Sequence, residues 1–372
     1  MPPKKYLVDP DATPRASRSR RSARNTQSLP PLSLDLPPSR ENRAKIGASQ
    51  SKKAESIVYK ALLLKLPGVP EMQSFADSGS STHSRAPGKD ELKLERSEQL
   101  DKVVPCPDIM YKLVRKLQES LKARHQPARN DPFMFLLTVD SRCAHLPGSI
   151  CSEHDTEDWV HSAILRPAIA IVQYLLNSDT VRKDFPNISS VGGSAPIPDS
   201  VMFKFSRDVD NAVLTIEFKT HRALGGDWLE TITELLASAN YSDLPGAAAK
   251  FHWPEYNDTN FDKATNVLLQ VWGQMRKWTV KYAILSSYEF TYFLFKPELQ
   301  SDTLYITEGF GPDNEELLPS TVSFLALALG IYSSEDLGTP EPTTRHWKHV
   351  SIANFESTGL NPRTYPPSAG ER

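Results

Sequence analysis

Hydrophobic residues recur with a regular period only between about residues 105 and 335 of this 372-residue chain. In that stretch, apolar positions three and four apart alternate with short runs of apolar and β-branched residues. The first spacing predicts helices and the second predicts strands. Since only this part can bury a core, we expect one domain of about 230 residues there.

The flanking segments have a different composition. Residues 1–104 and 336–372 are rich in Pro, Ser and charged side chains, and the whole chain is only 39% hydrophobic. This composition predicts a disordered basic arm with a linker at the N-terminus and a disordered C-terminal tail. A short apolar segment at 57–66 interrupts the arm. We expect it to be a docking helix for a protein partner or an element laid on the core.

Charge is distributed unevenly along the chain. Residues 1–100 contain 18 basic and 11 acidic side chains, whereas the remaining residues contain 25 and 34. A basic arm on an acidic body suggests contact with nucleic acid, a membrane or an import receptor. The run of arginines at 15–24, interleaved with serines, indicates nuclear import or phosphate contact, or else a solvated arm that keeps the protein soluble.

The chain has no targeting segment that indicates secretion. No run of about 18 apolar residues is present, which argues against a transmembrane helix and a membrane partner. The N-terminus lacks the apolar region of a secretory signal, and three cysteines are typical of a reducing compartment. We therefore expect a nuclear or cytoplasmic protein that is not secreted.

The order of predicted elements favours an α/β fold with a mixed central sheet flanked by helices. Asp155 is the predicted N-cap of the second helix, and Pro167 is expected to kink or restart it. Helices are predicted over 107–124, 156–176, 227–239, 262–278 and 319–331, and strands over 132–139, 201–205, 212–219, 281–286, 291–295 and 304–307. Common phosphate-loop, dinucleotide, serine-hydrolase, zincin and kinase motifs are absent, so the corresponding enzyme classes are disfavoured.

One predicted hairpin carries a group of charged residues. Its strands contain Ile197-Pro198-Asp199 and Glu217-Phe218-Lys219. An antiparallel turn centred near 208 or 209 places Asp199 opposite Glu217 or Lys219, and strand alternation places Glu217 and Lys219 on one face. We expect these side chains to end a strand rather than to fill the core.

Two neighbouring carboxylates repel each other unless a cation lies between them. A divalent ion such as Mg²⁺ prefers carboxylates, a backbone carbonyl and water. Lys219 could then orient an attacking water and neutralise charge on a phosphate. The alternative is an edge hairpin with a local salt bridge.

Pro198-Asp199, followed eighteen residues later by Glu217-Phe218-Lys219, resembles the PD-(D/E)XK nuclease-like superfamily, in particular fungal members of uncertain role. The resemblance covers about residues 150–310. It implies a restriction-endonuclease-like core, with Asp199, Glu217 and the Phe218 carbonyl as ligands of Mg²⁺ or Mn²⁺ and Lys219 beside the water. The implied function is metal-dependent cleavage of DNA or RNA, without a small-molecule cofactor. The alternative, supported by the acidic body, is a catalytically inactive binding or regulatory module.

Two further catalytic candidates come from helices. Gln270-Val-Trp-Gly-Gln274 resembles the superfamily's Gln-x-x-x-Tyr motif, with Gln274 departing from Tyr. The resemblance implies that Gln270 positions water or a phosphate; the alternative is a satisfied pair of core amides. Superfamily members often supply another acid from the first core helix, and Glu157 is the candidate, with Glu153 behind it. Acids in a first helical turn also simply complement the helix dipole.

A second set of potential metal ligands lies within twelve residues. Cys143, His145, Cys151 and His154 are formally a zinc-binding Cys₂His₂ set. Their spacing matches no common zinc module, so the sequence leaves structural zinc and ordinary loop residues as alternatives.

Overall fold

The computed structural model describes the central part of the chain with several gaps. The described residues are 62–63, 65–72, 92–107, 109–123, 143–176, 186–192, 196–204, 209–221, 223–224, 248–254 and 263–342. The predicted strand at 132–139, the predicted helix at 227–239, the arginine run and most of both terminal arms lie outside these residues.

The helices of the described residues follow the apolar stripes of the sequence. They are α1 (Ile109–Ala123), α2 (Glu153–Val160), α3 (Arg166–Leu176), α4 (Lys263–Lys277) and α5 (Leu317–Ala328). A π-helical turn, His161–Leu165, joins α2 to α3 just before Pro167. The Arg166 N–H donates to the His161 carbonyl across this turn, and Pro167 lies in the first turn of α3, where proline is tolerated. None of the described helices is long and apolar enough to cross a membrane.

The start of α2 differs from the prediction. Ser152, not Asp155, is the N-cap, and its side chain accepts a hydrogen bond from the Asp155 N–H. Asp155 in turn accepts from the Ser152 N–H at 2.9 Å, which completes a capping box. The helix therefore begins three residues earlier than predicted, and Glu153 becomes its first residue.

The strands form a mixed sheet. They are β1 (Glu71–Met72), β2 (Lys102–Pro105), β3 (Ser149–Ile150), β4 (Asn187–Ser190), β5 (Ser200–Phe203), β6 (Ala212–Phe218), β7 (Ala249–Lys250), β8 (Tyr282–Ser286), β9 (Thr291–Phe295) and β10 (Thr303–Ile306). Within the described residues, eight strands lie in the order β4-β5-β6-β8-β9-β10-β2-β7, and β1 pairs separately with β3. The pairs β6–β8 and β10–β2 are parallel and the others in this sheet are antiparallel. The predicted α/β class with a mixed sheet flanked by helices is confirmed.

The sheet is covered on both faces. On one face, Leu214, Ile216 and Phe218 of β6 share a buried cluster with α1, α3 and α5. On the other, Leu285 of β8 shares a second cluster with Trp272 and its neighbours on α4. Strand alternation explains this division, because successive side chains point to opposite faces. Glu217 therefore points to the α4 face, in register with Leu285.

The packed structure extends beyond the predicted boundary at residue 105. Leu92 and Leu100 are buried, and β2 begins at Lys102. Leu62 and Leu66, in the apolar segment expected to dock a protein partner or lie on the core, are both 3% exposed within the first cluster. These two side chains therefore pack on their own chain and offer no surface to a partner. Of the two alternatives for the 57–66 segment, this burial supports an element laid on the core, and residues 92–104 pack on the domain although the sequence predicted a linker there.

Candidate metal centre

The β5–β6 hairpin brings the two predicted carboxylates together. Its register pairs Ser200 with Ile216 and Val201 with Thr215. Continued by one residue, this register places Asp199 opposite Glu217, which confirms the first of the two predicted registers. The Asp199 carboxylate accepts a hydrogen bond from the Phe218 N–H at 2.7 Å. That bond anchors Asp199 at the carboxyl end of β6.

A third carboxylate joins them from α2. One oxygen from each of Glu153, Asp199 and Glu217 lies within 4.8 Å of the others, an arrangement that can hold a metal ion. The predicted Glu157 is not part of this group. It lies instead beside two histidines, 3.6 Å from His154 and 3.7 Å from His161. Glu153, which the sequence placed behind Glu157, is the α2 acid that reaches the carboxylate cluster.

Lys219 supplies the positive charge in this cluster. Its ammonium donates to Glu153 Oε1 at 2.9 Å and also to Glu217 Oε1. Glu217 and Lys219 are each 5% exposed. The expectation that these side chains merely end a strand is therefore wrong, since α2 and α4 bury them. An unpaired charge at this depth is destabilising, so each group depends on its partner.

The pKa values of Asp199 and Lys219 are both raised. This disfavours the charged form of Asp199 and favours the charged form of Lys219. Burial, followed by repulsion from Glu217, raises the pKa of Asp199 to about 8. Burial alone would lower the pKa of Lys219, but Glu217, Glu153 and Asp199 together hold it above its ordinary value. Near neutral pH Lys219 is therefore charged and Asp199 retains its proton for much of the time.

The helix α4 contributes an amide, that of Gln274, to this cluster. Gln274 Nε2 donates to Glu217 Oε2 at 2.6 Å and to the Ile197 carbonyl at 3.2 Å. Gln270, the glutamine favoured by the superfamily motif, is equally buried at 3%. Helical spacing predicts that both amides lie on one face of α4. It does not show which of the two contacts the end of β6. The role proposed for Gln270 stays a prediction.

His161 is a second neighbour that the sequence did not reveal. Its Nε2 lies 3.2 Å from Ser200 Oγ, and its ring centroid lies 5.3 Å from that of Phe218. Burial, followed by the nearby Arg166 charge, lowers the pKa of His161 to about 4, so the ring is neutral at physiological pH. His161 thus packs behind the residues adjoining both predicted ligands. Its position at the start of the π-helical turn has no simple sequence signature.

The proposed zinc ligands do not converge. Among the described residues, Glu153, Asp199 and Glu217 form the one group of at least three acidic, His or Cys side chains close enough to share an ion. The His154 side chain is 77% exposed and pairs with Glu157. Of the two alternatives, the structure therefore supports ordinary loop residues over structural zinc.

No family model, curated protein or solved structure matches this chain. The functional assignment therefore depends on the residues at the carboxyl end of β6 and their geometry.

Proposed function

We propose that the chain is a metal-dependent nuclease with a PD-(D/E)XK-type site. The observation that supports this best is the convergence of Asp199, Glu217 and Lys219 with Glu153 at one end of the sheet. A compact set of carboxylates beside an ammonium is suited to phosphodiester hydrolysis, because it can hold a divalent cation and neutralise phosphate charge.

The donor set fits a hard divalent cation. Asp199 and Glu217 supply carboxylate oxygens, and the Phe218 carbonyl is the expected backbone ligand, which are the ligand types preferred by Mg²⁺ and Mn²⁺. When bound, the ion would polarise a phosphate oxygen and make a water more acidic. Lys219 adds a compact positive charge held in place by Glu153. We expect it to stabilise negative charge developing on the phosphate.

The expected substrate is DNA or RNA. The dense arginine run at residues 15–24 supplies positive charge for phosphate contacts, whereas the remainder of the chain is acidic. We propose that the arm contacts the phosphates of nucleic acid or an import receptor, in a protein of the nucleus or cytoplasm. Deleting residues 1–56 should then weaken nucleic-acid affinity and flatten its salt dependence.

The decisive assay is cleavage by the purified full chain. Single- and double-stranded DNA and RNA are incubated with Mg²⁺, Mn²⁺ or chelator, using the parent, Glu217→Gln and the surface control Glu119→Gln. Glu119 is 65% exposed and lies in a surface pair with Arg115. We expect chelator and Glu217→Gln to reduce cleavage by at least about 100-fold, in line with losing a catalytic ligand. Equal rates for Glu217→Gln and the parent would refute the assignment.

The alternative function is a nuclease-like binding or regulatory module without activity. Its support is that Lys219 is already paired with two carboxylates and that both oxygens of Glu217 accept hydrogen bonds. Such internal pairing is also what a purely structural cluster needs. Salt-dependent nucleic-acid binding with no metal-dependent cleavage of any tested substrate would favour this alternative.

A further inference from the structure

The orientation of the Gln274 amide is determined by its neighbours. Its NH₂ group faces two acceptors, the Glu217 carboxylate at 2.6 Å and the Ile197 carbonyl at 3.2 Å. A glutamine NH₂ has two protons to donate, and both are used here. Reversing the amide would place its oxygen against two other oxygens. The hydrogen-bond network therefore identifies which end is nitrogen.

This orientation leaves the other end of the amide unsatisfied. Gln274 is 3% exposed, and its Oε1 has no hydrogen-bond partner within the described part of the chain. Leaving a buried acceptor unpaired destabilises the folded state, so such atoms are normally paired with protein or ordered water. The missing partner must be a hydrogen-bond donor, since Oε1 can only accept.

We propose that Gln274 is a positioning residue that holds the Glu217 carboxylate with its NH₂ group and binds a water molecule with its Oε1. The same planar amide makes both contacts, so the water lies next to the carboxylate cluster at a fixed distance from Glu217. A role for this water in phosphodiester hydrolysis rests on the proposed function. The contacts of the amide with Glu217 and with the water do not depend on that function.

Gln270 is the matched control for this proposal. It lies one turn earlier on α4 and is also 3% exposed, so substitution of either glutamine removes a buried amide from the same helix. The Gln274 amide donates to Glu217 at 2.6 Å. Methionine approximates the volume of glutamine without its hydrogen-bonding groups. The variants Gln274→Met and Gln270→Met therefore separate a local effect from general loss of packing.

The first test needs neither metal nor substrate. In the perdeuterated full-length protein, amide NMR should show a downfield, exchange-protected Gln274 side-chain proton and a cross-peak from this amide to bound water. Glu217→Gln should move the proton upfield, because a neutral acceptor makes a weaker bond than a carboxylate. Gln270→Met should leave the signal in place. A freely exchanging Gln274 amide, or one without a water cross-peak, overturns the proposal even if no variant folds.

The second test uses any cleavage activity of the parent at saturating Mn²⁺. Gln274→Met should lower kcat at least about tenfold with KM within twofold, since a misplaced water affects the reaction more than binding. The surface control Glu119→Gln should leave kcat unchanged. If Gln274→Met leaves kcat unchanged, its positioning role is refuted. If the parent does not cleave at all, the proposed nuclease function fails, and the NMR result alone still decides whether Gln274 holds Glu217 and a water.

Discussion

Replacing Asp199 by asparagine should change how stability depends on pH. Burial and Glu217 raise the pKa of this carboxyl from 3.8 to about 8 in the folded protein. Between these pH values the native state binds more protons than the unfolded state, so ionising Asp199 removes stability as pH rises. The amide introduced by the substitution would stay neutral throughout. We therefore expect Asp199→Asn to be more stable than the parent at pH 9 and to lose that advantage by about pH 4.

The size of the effect follows from the shift. Each pKa unit corresponds to about 1.4 kcal/mol, so a shift from 3.8 to about 8 has an upper limit of roughly 6 kcal/mol. The pKa of about 8 already includes the lowering by Lys219 and by the Phe218 N–H, and water entry around the ionised carboxylate reduces the cost further. We expect about 2–3 kcal/mol between the two pH limits, with asparagine able to keep the Phe218 bond.

A divalent ion should reverse this preference. It requires ionised Asp199, so its binding competes with the proton and strengthens as pH rises towards 8. At about 100 times its dissociation constant, the ion stabilises the parent by roughly 2.7 kcal/mol. Asp199→Asn lacks the charged ligand, and its unfolding free energy should change much less with Mn²⁺. Replacing chelator by Mn²⁺ at pH 9 should therefore raise the unfolding free energy of the parent more than that of the variant.

The assay is urea unfolding from pH 4 to 9, followed by fluorescence of the buried Trp159 and Trp272. The difference between parent and variant removes the contributions of titrating groups that do not interact with residue 199. Asp302→Asn is the control, because hydrogen bonds from Lys102 and Thr303 lower the Asp302 pKa despite burial. The difference in unfolding free energy between that variant and the parent should stay constant from about pH 5 to 9, since Asp302 is ionised in both the folded and the unfolded state over this range. If the Asp199→Asn and parent curves in chelator run parallel across this range, the reasoning about Asp199 is wrong.

Three further predictions concern buried groups. Lys219→Met should lower the unfolding free energy in chelator by about 3–5 kcal/mol. It should also increase the stabilisation by Mn²⁺, since the ion replaces the lost positive charge. Equal melting temperatures for variant and parent would contradict this. Leu66→Ala should lower the free energy of urea unfolding by about 2–4 kcal/mol. Leu63 is 55% exposed, so Leu63→Ala should change this free energy by less than about 0.5 kcal/mol. Similar values for the two variants would show that the segment does not pack as described. Burial and two nearby cations lower the pKa of Lys296 to about 7. Lys296→Met should therefore be more stable than the parent below pH 7, and this advantage should fade towards pH 10.5. A constant difference in unfolding free energy across that range would refute the assignment.

The sequence was sufficient for several strands of the sheet. The strand predicted at 291–295 coincides with β9, and the predictions at 281–286 and 304–307 differ from β8 and β10 by one residue at one or both ends. Short apolar runs bounded by turn residues carry this information locally. The pairing of Asp199 with Glu217 was also accessible, since a hairpin turn determines which residues face each other.

Helix ends and domain edges were less accessible. The capping box at Ser152 moved the start of α2 towards the N-terminus, because several polar residues in that loop could cap a helix. Leu62 and Leu66 lie in a segment too short and too isolated to show a period, yet both are buried. Burial of so brief a segment depends on an apolar surface supplied by distant parts of the chain.

The sequence by itself determined that two carboxylates and a lysine would meet at the end of one hairpin, because neighbouring strands and a tight turn make this a local question. Only the tertiary structure decided the environment of those charges. Glu153 and Gln274 arrive on helices far apart in sequence, and their contacts with Lys219 and Glu217 depend on how α2 and α4 pack on the sheet. That packing also excludes water from the site, and exclusion of water raises the Asp199 pKa.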